Sequence, residues 1–373
     1  MIKVLSLFDW ISCGQVALNR FRVPYRYFAS EIDKNAIKIT HNNFPNTFHL
    51  WSICDLRYNS EEDTLYYWKV PYDKIITWDK DNSYMRLWKI DLLIWWPPCQ
   101  WFSYAWKMLN FEDKRSKLFF EYARILKETK PRFFIMENVK MKKEYSDIIT
   151  DHLFSVEFLF IDSQLIWAQQ RKRLYWVWEL QNDWSYKKVD IPNPTGPGKI
   201  LEDILQPFEE IEEKYFLNEE QIEKAIKNCK GKIFKSWKSN WNAPLVRVNK
   251  ALCLTARSFW KSNRAVNRII QYPRWFNKWW LKWDNWKVPT ITTNQWKYNN
   301  YLLDSWWRMR VFTEIEQERL QCLPDNYTQW IPTYLREYHI WNWFHVDTME
   351  YILSFIIEKL KNEKRYNESK MGL

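Results

Sequence analysis

A chain of 373 residues, 46% of them hydrophobic, can bury one large core and a smaller second one, and without an apolar run of about 18 residues it offers no membrane-spanning helix. Its six cysteines, at 13, 54, 99, 229, 253 and 322, show no C-x-x-C spacing and its five histidines no ligand pattern, which argues for reduced thiols in a cytoplasmic protein and against a zinc site or a disulfide scaffold. The net charge of +11 is concentrated between Lys224 and Lys297, where seventeen Lys and Arg face one acid, Asp284; interleaved with Asn, Ser and aromatic residues, such a block predicts a polyanion-binding surface rather than a solvated basic face.

In chain order, Lys3 to Phe8 reads as a short apolar strand and Gln15 to Phe21 as the helix after it; Tyr25 to Ser30 and Lys34 to Asn43 repeat the pair. Asp91 to Ile94 is the next strand. Beyond a polar stretch ending near Lys117, the apolar residues Leu118, Phe119, Tyr122, Ile125 and Leu126 fall at helical spacing, and Arg132 to Met136 is a strand leading into Glu137-Asn138-Val139. Phe154 to Ile161 and Leu174 to Val177 read as neighbouring strands. The alternation predicts an α/β fold with a mostly parallel sheet covered by helices on both faces. Regularity stops at Ile191-Pro192-Asn193-Pro194-Thr195-Gly196-Pro197-Gly198, a linker by composition, followed by an acidic, helix-like stretch from Glu202 to Glu223. The basic block comes next, with only weak strand candidates such as Pro289 to Thr293. Thr313 and Glu316 then form a capping-box pattern ahead of a helix to about Cys322, and a last amphipathic helix runs from about Val346 to Leu360 into a Lys/Glu-rich tail.

Chemistry enters at Pro97-Pro98-Cys99-Gln100-Trp101-Phe102-Ser103. A cysteine at the carboxyl end of a buried strand, held by rigid prolines, is where an open α/β sheet presents a nucleophile; alone, the run is equally a turn with a buried thiol. Glu137 stands at the end of the next strand, on the same rim, where burial would let a carboxyl hold a proton, unless it merely caps a helix. Gln169-Gln170-Arg171-Lys172-Arg173 matches a Gln-x-Arg-x-Arg pattern, suited to bidentate contacts. Further on come Arg310-x-x-Thr313-x-x-Glu316-x-x-Arg319-Leu320-Gln321, Pro324-Asp325 and Trp341-Asn342-Trp343-Phe344.

In this order and spacing the motifs resemble the cytosine-5 DNA methyltransferase family over nearly the whole chain. The resemblance implies a Rossmann-like S-adenosylmethionine methyltransferase sheet with a smaller inserted target-recognition domain: a catalytic and cofactor-binding domain over 1–181, target recognition over 182–305, and a C-terminal segment over 306–373 that completes the catalytic domain. It implies S-adenosylmethionine as methyl donor, without a metal. Phe8, Asp9 and Gly14 would form the first cofactor motif, Glu31 would bind the ribose hydroxyls, Ile32 and the pair Asp55-Leu56 would meet the adenine, and Pro98 and Asn342 would complete the site. Cys99 carries over as nucleophile, Glu137 as the partner of cytosine N3 and Arg173 as the contact to O2, with Asn138 and Arg171 in support. Gln100 to Lys117 would close over a base flipped from its stack. Double-stranded DNA is the implied partner of a monomeric, microbial or phage-encoded enzyme, with a cognate restriction endonuclease as candidate companion. Two rival expectations stand beside it: a tRNA cytosine-5 methyltransferase, which shares the motifs, and a non-catalytic nucleic-acid-binding relic.

One departure runs through all the motifs. The chain has 27 Trp and only 5 Gly, where Gly alone is normally about 7% of a protein. Trp10, Trp95, Trp96, Trp101, Trp178, Trp341 and Trp343 stand where the resemblance places glycine, which permits positive φ and close backbone approach. The pattern predicts a gene that uses UGA as a glycine codon, here written as Trp, while Trp176 is read as a genuine Trp. UGG codons at Trp10, Trp95 and Trp341 would contradict this. The Trp-rich chain is accordingly expected to fold poorly and to bind S-adenosylmethionine weakly or not at all, with Trp10 intruding on the loop meant to lie against the cofactor and Trp341 and Trp343 distorting the turn around Asn342.

Overall fold

A computed structural model describes residues 1–62, 64–69, 81–86, 89–95, 114–139, 143–153, 157–196, 198–221, 268–271, 300–303, 309–342 and 344–371. Cys99, Pro98, Trp96, Trp101, Trp343, the loop 100–113 and nearly all of the basic block lie outside these residues.

Among them, eleven strands form one sheet. Its centre is parallel: β1 (Ile2–Leu7) lies between β2 (Tyr25–Ser30) and β7 (Leu92–Trp95), β3 (Phe48–Leu50) extends it beyond β2, and β8 (Phe133–Val139) beyond β7. The chain builds outward from β1 to β3 and then returns to β1's other side, so the order of strands reverses at β1. In an open α/β sheet that reversal leaves a crevice at the carboxyl ends of the strands. Antiparallel strands finish both edges. On one side are β4 (Arg57–Asn59), β5 (Thr64–Lys69) and β6 (Asp81–Arg86); on the other are β9 (Leu159–Asp162), β10 (Lys172–Leu180) and β11 (Tyr186–Lys188). A second sheet pairs β12 (Arg268–Gln271), β13 (Asn300–Leu303) and β14 (Met309–Arg310).

The strands alternate in strict period two between two buried cores. Ile2, Val4, Leu92, Ile94, Phe133, Ile135, Tyr175 and Val177 face one, which is shared with α1 (Cys13–Asn19), α2 (Lys34–Asn43) and the long α7 (Val346–Met371). Leu5, Leu7, Leu93, Trp95, Phe134, Met136, Leu174 and Trp176 face the other, against α3 (Lys114–Thr129) and α4 (Lys143–His152). Both faces of the central strands are therefore apolar, as a covered parallel sheet requires. A third cluster joins Leu201 and Ile204 to α5 (Glu314–Leu320) and α6 (Thr333–Trp341) through Leu320, Ile340 and Trp341.

The α/β, Rossmann-like expectation holds. β2 and α2 have the bounds read from the sequence, and the Thr313–Glu316 capping box forms as anticipated. The differences have physical causes. β8 runs on to Val139 because β10 pairs with it as far as Arg173. Residues 186–188, beyond the boundary drawn at 181, pair with β10, and Val189 and Ile191 enter the first core. α7 continues to Met371, past the expected end near Leu360, and α6 was not anticipated.

Candidate active site

The register places the predicted site residues on one row. Leu50, Ser30, Leu7, Trp95 and Met136 are successive partners across β3, β2, β1, β7 and β8. One residue further on, Trp51, Glu31 and Phe8 leave the sheet at this rim, while Glu137 stays within β8 opposite Tyr175 of β10; Cys99 is four residues beyond Trp95 in the sequence and outside the described residues.

At the β1 end the chain turns sharply. Phe8, Trp10 and Ser12 all have positive φ, at 57°, 51° and 56°. Asp9 is buried beneath this turn and accepts hydrogen bonds from the Ser12 hydroxyl and, at 2.7 Å, from the Tyr27 hydroxyl. Burial raises its pKa, the hydrogen bonds only opposing the shift. Gly14 serves the same contact, because a Cβ there would lie 2.6 Å from the Tyr27 hydroxyl oxygen. Asp9 and Gly14 thus shape the loop from below.

Glu31 is the acid of the rim. Its Oε2 accepts from the Trp10 amide at 2.7 Å, and its Oε1 from the amides of Ile32 and Asp33 at 2.7 and 2.8 Å. Burial pushes its pKa up to about 7 against these three donors. A carboxylate offers about four acceptor positions, so one remains for a hydroxyl donor. Beside it Ile32 is exposed, Asp55 is half-buried at the end of a short turn after β3, and Leu56 is fully buried in the second core. A buried carboxylate with a spare acceptor, an exposed aliphatic side chain and a second, half-buried acid suit the ribose and adenine of S-adenosylmethionine. Trp10 alone fits poorly.

At the β8 end Glu137 is buried and its Oε1 lies 2.7 Å from Arg173 Nε on the adjacent β10. Burial pushes its pKa up to about 7, and Arg173 and Arg171 only partly offset that. Asn138 is buried, with its carbonyl oxygen accepting from the Val139 amide and its side-chain nitrogen unbonded. Arg171 is buried too, its backbone amide donating to Asp162 at 3.1 Å. The structure therefore brings Glu137 and Asn138 of β8 together with Arg173 of β10 and with Arg171 just ahead of it.

Some features escaped the sequence reading. Gln169, the first residue of the Gln-x-Arg-x-Arg motif, is fully buried with neither side-chain nitrogen nor oxygen bonded, a signal available only from packing. His339 of α6 sets Nε2 3.1 Å from Asp33 Oδ1 and Nδ1 2.8 Å from the Leu335 carbonyl oxygen. Asp33 also caps α2 by accepting from the Ala36 amide, which its position before Lys34 could have announced. Asn342 ends α6 three residues beyond His339. Arg310 and Glu316, both buried, form two 2.7 Å hydrogen bonds, so that motif is structural.

No helix among the described residues is long and apolar enough to cross a membrane, and no cluster of His, Cys, Asp or Glu among them could hold a metal ion.

Comparison with known proteins agrees with this geometry. The chain is 30% identical over 264 residues to the orphan methyltransferase M.SPRI of Bacillus phage SPR, covering 61% of this chain and 54% of that one. It is also 30% identical over 227 residues to the type II methyltransferase M1.ScrFI of Lactococcus lactis subsp. cremoris, covering 57% and 51%. The matched region spans about half the length of these relatives. The solved structure of the Entamoeba histolytica methyltransferase EhMeth superposes with a TM-score of 0.62 at 15% identity, over 96% of this chain and 99% of that one, a likeness of fold. The model of the C-5 cytosine-specific DNA methylases matches residues 2–357, and the chain belongs to that family.

Proposed function

We propose that the chain is a DNA cytosine-5 methyltransferase acting through a covalent Cys99 adduct. The observation that carries this reading is Glu137: a buried carboxyl with its pKa pushed up to about 7, ion-paired with Arg173, on the strand next to the one that leads to Cys99. C5 of cytosine is a poor nucleophile until the ring is attacked at C6. The Cys99 thiolate forms the bond to C6 as Glu137 delivers its proton to N3, leaving an enamine whose C5 can take a methyl group. S-adenosylmethionine, when bound, would supply that methyl and leave as S-adenosylhomocysteine. Solvent water or hydroxide then takes the C5 proton, the freed electron pair expels Cys99 as thiolate, and N3 returns its proton to the Glu137 carboxylate, restoring aromaticity. Arg173 orients Glu137 and, with Arg171, supplies positive charge where the base carbonyl would sit.

Glu31, Ile32, Asp55 and Asn342 would hold the donor over the loop that Phe8, Asp9 and Gly14 shape. DNA is favoured over tRNA by the family's own description, while the basic block from 224 to 297 suits either polyanion. We place target recognition in that block, after the residues around 186–216 that pack with the catalytic sheet and with α5. The names of the phage and bacterial relatives favour a microbial or phage enzyme; the type II name of the Lactococcus relative keeps a restriction endonuclease as candidate companion, while the orphan name of the phage relative speaks against one.

The test is methyl transfer from labelled S-adenosylmethionine to duplex DNA and to tRNA, by the chain as written and by one with glycine at 10, 95, 96, 101, 178, 341 and 343. Transfer to DNA that is lost in Cys99→Ser while DNA binding persists is the expected result. Transfer to tRNA alone would establish the rival substrate, and undiminished transfer by Cys99→Ser would remove the nucleophile.

A further inference from the structure

The Trp10 backbone sits at φ 51°, in the left-handed region that costs an ordinary L-residue about 1–2 kcal/mol. A second Trp shares this property. Trp184, at φ 65°, ends the three-residue loop between β10 and β11, where the Trp184 amide donates to the Gln181 carbonyl and the Gln181 amide to that of Ser185. A hairpin loop of that length places glycine at its left-handed third residue. Trp95 and Trp178, by contrast, lie within strands and Trp341 within a helix, none at positive φ.

At position 10 the side chain adds a second conflict. The Trp10 amide donates to Glu31 and its carbonyl oxygen accepts from the Thr40 hydroxyl, which fixes the backbone of the loop. From there the indole reaches α6: Nε1 donates to the His339 carbonyl at 2.8 Å, and the ring stacks on the His339 imidazole at 4.9 Å and meets Tyr338 edge-on at 5.4 Å. His339 is joined in turn to Asp33, two residues after Glu31. The indole therefore bridges from the β1–α1 loop, whose Trp10 amide is held by Glu31, to the helix that ends at Asn342, alongside the Asp33–His339 contact and between two residues of the proposed nucleoside site.

We propose that the indole of Trp10 plugs the mouth of the cofactor site, at a position whose backbone is that of a glycine. This rests on the reading of that site as one for S-adenosylmethionine. Removing the ring opens the gap between Glu31 and Asn342, and glycine in particular also adopts φ 51° without strain.

The test uses calorimetric titration with S-adenosylhomocysteine, which binds without turnover, together with thermal melting. Trp10→Gly and Trp10→Ala are expected to bind at least about tenfold more tightly than the parent, equivalent to about 1.4 kcal/mol, with the glycine variant melting above the alanine one. Trp184→Gly, on a distant hairpin, should keep the parent's affinity. A parent that binds as tightly as both position-10 variants would overturn the plug and leave the cofactor reading standing. If every variant folds and none binds, both fall. Two position-10 variants keep the result readable should one fold badly.

Discussion

Glu137 concentrates the chemistry in one residue. Its carboxyl is ionised far less readily than an ordinary glutamate because burial outweighs the neighbouring arginines, which places the change of charge at about 7. A raised pKa means the proton is present below that pH and lost above it. Single-turnover methyl transfer at saturating DNA and cofactor should therefore decline as pH rises through about 7. Glu137→Gln, which cannot deliver a proton, should be slower by about 10²–10⁴ and lack that alkaline limb. A limb that survives in Glu137→Gln would assign it to another group. The identity of Glu137 was legible in the sequence because it follows an apolar strand. Its charge state was not, since that depends on the packing of β8 between β7 and β10. Nor could sequence spacing disclose the Trp10–His339 contact, which joins residues 329 positions apart.

Elements defined by a local rule were the legible ones. β2 and α2 could be bounded from their apolar runs and spacing, and α5 from the capping pair Thr313 and Glu316. The antiparallel extensions β4 to β6 gave little signal, because an edge strand is defined by the partner that covers it. α5 also yields a stability prediction. Arg310 and Glu316 are almost wholly inaccessible and bond through both guanidinium nitrogens, and Glu316 accepts as well from the Thr313 amide. Arg310→Met strands the Glu316 charge in the interior and should cost about 3–5 kcal/mol in urea denaturation. The double variant Arg310→Met/Glu316→Gln should recover part of that loss. A change below about 1 kcal/mol in Arg310→Met would mean that water reaches the pair.

For the molecule as a whole, the reversal of strand order at β1 sets what the rim can do. It gathers Phe8 and Glu31 at strand ends, Glu137 within β8 and the end of β7 ahead of Cys99 along one rim, with the proposed nucleoside side at β2 and β3 and the proposed base side at β8 and β10. Sequence order had suggested that line, and register supplies it. The excess of Trp was legible as an anomaly at once, yet only backbone geometry separates Trp10 and Trp184, held at positive φ, from Trp95, Trp178 and Trp341, which are seated in packed cores. Trp341 ends α6 without distorting it and its Nε1 donates to Gln317 at 2.7 Å, so the expected disruption beside Asn342 does not occur on that side. The central claim is covalent methyl transfer to cytosine in DNA, and the most direct measurement is a trap. Duplex DNA containing 5-fluorocytosine should give the glycine-restored chain a complex that survives denaturing electrophoresis, forms only with S-adenosylmethionine present, and is absent from Cys99→Ser. A complex formed with tRNA and not with DNA, or one that persists in Cys99→Ser, would contradict the account.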